Sequence, residues 1–139
     1  MVTMSHTFTF SSQHLYDTSK TGITIPVELI YGSKSVQPDA KLDTGASFCI
    51  FARAYADLLD IDVESGVLEL VSTATGTFRV FGHRVIVVAL GLQFDTTIYF
   101  ASDENIKRNV LGRRDWIDQI RLCLIEHDGE LYISQYDDN

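Results

Sequence analysis

KLDTGASF, residues 41–48, is the stretch on which the reading of this chain turns. A carboxylate, Asp43, is followed at once by a hydroxyl, Thr44, then by Gly45 and the small Ala46. Two readings fit the triplet: a solvated Asp turn, or one half of a catalytic aspartate pair. The flanks favour the second. Leu42 precedes the triplet and Ser47-Phe48-Cys49-Ile50-Phe51 follows it, so the loop should leave the core and return to it, whereas a solvated turn has polar flanks. In such a loop Gly45 permits a tight turn and brings its N–H near the carboxylate. The Thr44 hydroxyl can reach a second copy of the loop, and Ala46 adds no bulk. Two carboxylates held close together cannot both ionise and share one proton. One then activates a water as base while the other protonates a carbonyl oxygen as acid. The triplet occurs once in the chain.

Bulk properties limit the alternatives. The 139 residues, 45% of them apolar, suit one folded domain with a real core and are short for two lobes. A formal net charge of −8 argues against a nucleic-acid partner. The longest basic runs, Lys107-Arg108 and Arg113-Arg114, are each diluted by nearby acids, so charge points to neutral or basic peptides or to no selection at all. Cys49 and Cys123 form no CxxC pair, and His6, His14, His83 and His127 stand singly, so no metal or other cofactor is expected. Two reduced, buried cysteines imply a reducing, cytoplasmic setting. "MVTMSHTFTFSSQH" has no secretory-signal pattern, and "VIVVALGL" at 85–92 is too short to span a bilayer, so no membrane partner is expected.

Strand signals dominate the chain. In "GITIPVELI" the apolar positions Ile23, Ile25, Val27 and Leu29 recur at period two, and Pro26 suggests an edge strand. A short strand should run through Ala40 and Leu42 into the triplet, and "ARAYADLLD" at 52–60 reads as a short helix. "GVLELVSTATGTFRVFG" gives two strands joined by a small-residue tip at Thr73–Thr77, and Gly82-His83-Arg84 reads as a turn. "HRVIVVALGL" and "QFDTTIYF" form another pair, the second burying Phe94, Thr96, Ile98 and Phe100 on one side. In "RRDWIDQI" Trp116 and Ile120 lie one turn apart, which suits a second helix. "RLCLIEHDGELYIS" is a hairpin around Asp128-Gly129, with positive φ wanted at both turn positions. Seven to nine short strands and two short helices make an all-β domain of barrel or sandwich type.

With these residues in place, "LDTGAS" resembles the active-site motif of the retropepsin-like aspartic proteases, the single-lobed, homodimeric relatives of pepsin that include the retroviral proteases. "NVLGR" at 109–113 resembles the apolar-apolar-Gly-Arg stretch before that family's C-terminal helix, and "LVSTATGTF" lies where its flap would be. The likeness covers roughly residues 22–134. It implies a closed β-barrel-like acid protease fold with one or two short helices and a flap hairpin, over 22–139, after an N-terminal extension of 1–21 with room for an added strand. It implies an aspartic endopeptidase with Asp43 catalytic and Thr44, Gly45 and Ala46 supporting the active-site loop. Ala74, Thr75, Gly76 and Thr77 match the flap, with Gly76 at its tip, and Val110, Leu111 and Gly112 match the structural support behind the loop. The implied partners are a second copy of the chain and a polypeptide substrate.

The chain departs from that pattern at Ser47, where retroviral members often carry an aspartate that pairs with the arginine of Gly-Arg. Arg113 therefore lacks that partner. A non-catalytic peptide-binding or dimerisation module on the same fold is the rival reading, and an unrelated ligand-binding barrel is a third. Asp95-Thr96-Thr97 echoes the triplet without its glycine and reads as strand surface.

Overall fold

Period-two burial organises the molecule. In the computed structural model, which describes residues 2–138, the strands are β1 (Ser12–Leu15), β2 (Ile23–Tyr31), β3 (Lys34–Val36), β4 (Asp39–Leu42) and β5 (Ile50–Phe51), followed by a six-residue helix α1 (Arg53–Leu58). Then come β6 (Val67–Thr73), β7 (Gly76–Ala89), β8 (Leu92–Ala101), β9 (Val110–Leu111), β10 (Ile120–Ile125) and β11 (Glu130–Gln135). The chain is all-β, as the apolar alternation requires. Eight strands run in the order β3-β2-β4-β9-β5-β8-β7-β6, and an extra β2–β7 pairing turns the strands from β2 to β7 into a barrel-like ring. A second sheet, β1-β11-β10, packs Leu131 and Ile133 against the same core. That core gathers Ile25, Val27 and Leu29 of β2, Val85 and Val87 of β7, Ile98 and Phe100 of β8, and the fully buried Trp116.

Pro26 is not on an edge strand, because β2 pairs on both sides. Successive N–H groups along a strand point to opposite sides, and the Val27 N–H donates to Pro38 O on the β4 side. The missing Pro26 donor thus faces the side on which β7 pairing begins only at Val27.

Three further expectations change. No turn forms at Gly82-His83-Arg84; β7 runs unbroken through it for 14 residues. Gly82 is needed for space: a Cβ there would lie 2.8 Å from the Tyr99 ring. Buried positions also switch parity along this strand, from Val80 and Gly82 to Val85, Val87 and Ala89, because its first half serves a separate cluster with Ile50, Tyr99 and Val110. The second helix is only a single 3-10 turn, Ile117–Gln119, and Ile120 opens β10. The β10–β11 hairpin forms, but through a 3-10 turn at Glu126–Asp128 with a left-handed conformation at Gly129 alone, φ 65°. Cys49 is buried whereas Cys123 is only partly so. Among the described residues no helix is long and apolar enough to cross a membrane.

Candidate active site

Strand β9 lies between β4 and β5, parallel to the first and antiparallel to the second. That placement fixes the Asp43 loop from below. Lys41 pairs with Val110 and Leu42 with Leu111, and the ladder continues past the strand end as the Asp43 N–H donates to Leu111 O at 3.0 Å. The loop then folds on its own carboxylate. The Gly45 N–H donates to Asp43 Oδ1 at 2.9 Å and the Ala46 N–H to Asp43 O at 3.2 Å. Its return is tied to the segment after β9: the Arg113 N–H donates to Ala46 O and the Arg114 N–H to Ser47 O, each at 2.9 Å.

Gly112 sits under this arch. It has no left-handed φ, but a Cβ there would lie 2.3 Å from Phe48 O and 2.8 Å from Ala46 O. The Gly112 N–H donates to Cys49 Sγ at 3.3 Å, and the Cys49 thiol reaches Arg114 O at 3.5 Å. Burial pushes that thiol up to about 12, which keeps it a neutral anchor rather than a nucleophile. Asn109 adds a clamp: its Oδ1 accepts from the Ala52 N–H at 3.1 Å, and its Nδ2 donates to Asp39 O at 3.2 Å. Cys49 and Asn109 were not singled out from the sequence for these roles. Asn109 opens the NVLGR stretch, which is the one signal it offered.

The structure therefore brings Asp43, Thr44, Gly45 and Ala46 together with Val110, Leu111 and Gly112. Thr44 and Gly45 are exposed, and the Asp43 side chain is 35% exposed. Arg108 Nη2 stands 3.6 Å from Asp43 Oδ2. The β6–β7 hairpin closes one side of a cleft of about 360 Å³, in which Leu70, Val71 and Ser72 face Gly45, Ala46 and Phe48. The shaft of the hairpin, rather than Ala74, Thr75, Gly76 and Thr77 at its tip, lines this cleft. Phe48 packs on Tyr99, with ring centres 4.9 Å apart, beneath Arg114. A larger cleft of about 790 Å³ opens on the other side of Asp43, along β4 and Lys107–Val110.

Residues outside the site have structural roles. His83 Nε2 donates to Val63 O at 2.8 Å. Asp95 and Thr97 lie on β8, and the buried Thr96 hydroxyl donates to Asp115 O at 2.8 Å. Arg113 makes no ion pair among the described residues.

No protein-family model matches the sequence, and no curated protein matches it. Among solved structures, the EIAV protease in complex with an inhibitor aligns with a TM-score of 0.53 at 21% identity, over 68% of this chain and 84% of that chain. The fold is retropepsin-like. The ring of strands makes one lobe, with the Asp43 loop and the shaft of the β6–β7 hairpin lining the same cleft.

Proposed function

We propose that the chain is an aspartic endopeptidase whose working unit is a homodimer, with Asp43 of each copy forming the dyad. The observation that carries this reading is the braced Asp43 loop, set between two clefts in a retropepsin-like fold. The carboxylate is anchored by a backbone N–H of its own loop and remains open to solvent, which suits a group that must meet a symmetry mate. The second aspartate comes from the second chain, because the sequence holds one triplet. The exposed Thr44 hydroxyl is available to bridge the two loops.

In the dimer the two carboxyls share a proton. The ionised member takes a proton from water as its oxygen attacks the peptide carbonyl carbon. The protonated member gives its proton to the carbonyl oxygen. Collapse of the tetrahedral adduct breaks the C–N bond, the amine leaves with a proton, and acid and amine products separate. An extended substrate lies under the β6–β7 hairpin and pairs through its main chain with strand edges, β6 being the free end of its sheet. The free, buried Cys49 thiol is compatible with a cytoplasmic, reducing setting.

The test is cleavage of an unfolded protein at mildly acid pH, with the oligomeric state measured in the same buffer. Wild type cleaves and Asp43→Asn does not. Equal cleavage by both, or none by a purified dimer, sinks the proposal. The second reading, a non-catalytic peptide-binding module, draws on the Arg108 guanidinium, which stands 3.6 Å from the Asp43 carboxylate in the single chain. A chain that stays monomeric at micromolar concentration favours it.

A further inference from the structure

The chain carries 19 acidic side chains against 11 lysines and arginines. Three of those eleven, Lys41, Lys107 and Arg108, nevertheless line the 790 Å³ cleft beside Asp43. Two carboxylates share its wall, Asp39 and Asp43 itself. Lys41 and Lys107 make no ion pair among the described residues, and Lys41 lays its stem along Gly22. The Arg108 contact with Asp43 is long, 3.6 Å, and its side chains are 41% and 35% exposed. An ion pair so open to water is weak and readily exchanged.

Position gives Arg108 its significance. It lines both the larger cleft and the smaller one under the β6–β7 hairpin, so it stands where the two meet. A peptide lying across Asp43 from one cleft into the other passes this guanidinium. We infer that the cleft is a subsite for an acidic side chain: Arg108, flanked by Lys107 and Lys41, receives an Asp or Glu of the bound peptide close to the position Asp43 would attack.

The physical case has two parts. A carboxylate can take two guanidinium donors in a fork, a better arrangement than the single long contact to Asp43. Accepting it draws Arg108 away from Asp43, so acidic peptide binding also frees the candidate catalytic carboxylate. In a chain of net charge −8 this wall carries three cations against two carboxylates, so a local group of cations marks a place along the cleft where an acidic residue is welcome. This reverses, at one subsite, the preference for neutral or basic peptides that the net charge alone suggests.

The inference deepens the proteolytic reading and rests on it for its substrate, but binding can be measured without cleavage. Two peptides identical except for a central Glu or Gln are titrated against the Asp43→Asn protein by fluorescence anisotropy at low salt. The Glu peptide should bind about five-fold tighter. The preference should vanish in Asp43→Asn with Arg108→Gln and Lys107→Gln, and fade at about 0.5 M salt, where the Debye length falls to roughly 4 Å. Both replaced side chains are surface groups, and circular dichroism checks that the variant is folded. Equal binding of the two peptides overturns the inference, as does a preference that survives the double replacement. In a parallel arm wild type is offered both peptides. A binding preference with no cleavage of either supports the subsite while refuting the protease; cleavage with no preference does the reverse.

Discussion

The Asp43 loop and the tip of the β6–β7 hairpin are both built from small and hydroxyl residues, yet the chain holds them in opposite ways. Asp43–Phe48 is tied to distant segments: to Leu111 on entry, to Arg113 and Arg114 on return, with Gly112 and Cys49 packed beneath. Among the described residues Thr73–Thr77 is tied only within its own hairpin. Thr73 Oγ1 accepts from the Thr75 N–H at 3.3 Å and donates to Gly76 O at 3.0 Å, and every residue from Ser72 to Thr77 is exposed. Composition therefore says little about mobility, whereas the sequence distance spanned by the backbone bonds says much. One segment is built to hold a carboxylate still. The other is exposed and held only by local bonds, so it should open more readily.

Two glycines put that contrast to the sharpest test. Gly112 is a glycine of space, and the atoms a Cβ would strike are backbone carbonyls of the Asp43 loop, which cannot swing aside. Gly112→Ala should cost about 3 kcal/mol or more, read from urea unfolding, and should abolish any activity. A loss under about 1 kcal/mol would mean that the loop yields after all, and the contrast would fail. Cys49 comes next. Cys49→Ala removes a buried thiol and its contacts to Gly112 and Arg114, at a cost of about 1–2 kcal/mol. With its thiol raised to about 12, Cys49 should resist iodoacetamide in the native protein at pH 8, a value about half a unit below a free thiol's midpoint, while Cys123 is alkylated. Rapid labelling of both would show a loop that opens.

How much of this was legible in the sequence follows from the same distinction. The Asp43 loop could be read because its apolar flanks announce a passage through the core, and the hairpin because its strands alternate around a small-residue tip. Gly82 misled because a glycine made necessary by the Tyr99 ring looks the same in sequence as a glycine made necessary by a turn. The helix expected at Trp116–Ile120 failed because Trp116 and Ile120 both reach the core, but from the residue before a 3-10 turn and from a strand start rather than from one helical face. Arg108 drew no notice as half of a diluted basic pair. Its importance comes from β4 and β9 lying side by side, a long-range pairing that no local window contains.

At the hairpin tip the expected effects shrink. Gly76 has φ 146° and open space around it, so Gly76→Ala strains the backbone without a clash. The cost should be about 1 kcal/mol. Its stronger signature should be kinetic, with altered amide exchange at 73–77 and none around Asp43. Exchange changes spreading to both segments would show them mechanically coupled, contrary to the contrast drawn above.

The smallest effect is expected at Asp115, in the segment that braces the loop. Burial, and then the nearby Asp118, raise its carboxyl above the usual value of 3.8. Because the folded pKa is the higher one, ionisation opposes folding. The penalty is absent at pH values below the unfolded pKa, grows as pH rises, and is complete above the folded pKa. Asp115 also adopts φ 72°, a conformation Asn tolerates well. Asp115→Asn should therefore stabilise the protein by about 0.5 kcal/mol at neutral pH, with the pH-dependent part of that gain disappearing below the usual carboxylate value. Urea midpoints across that range measure it. A gain that did not vary with pH would assign the benefit to the backbone alone, and would show that the brace, unlike the loop it holds, is indifferent to charge.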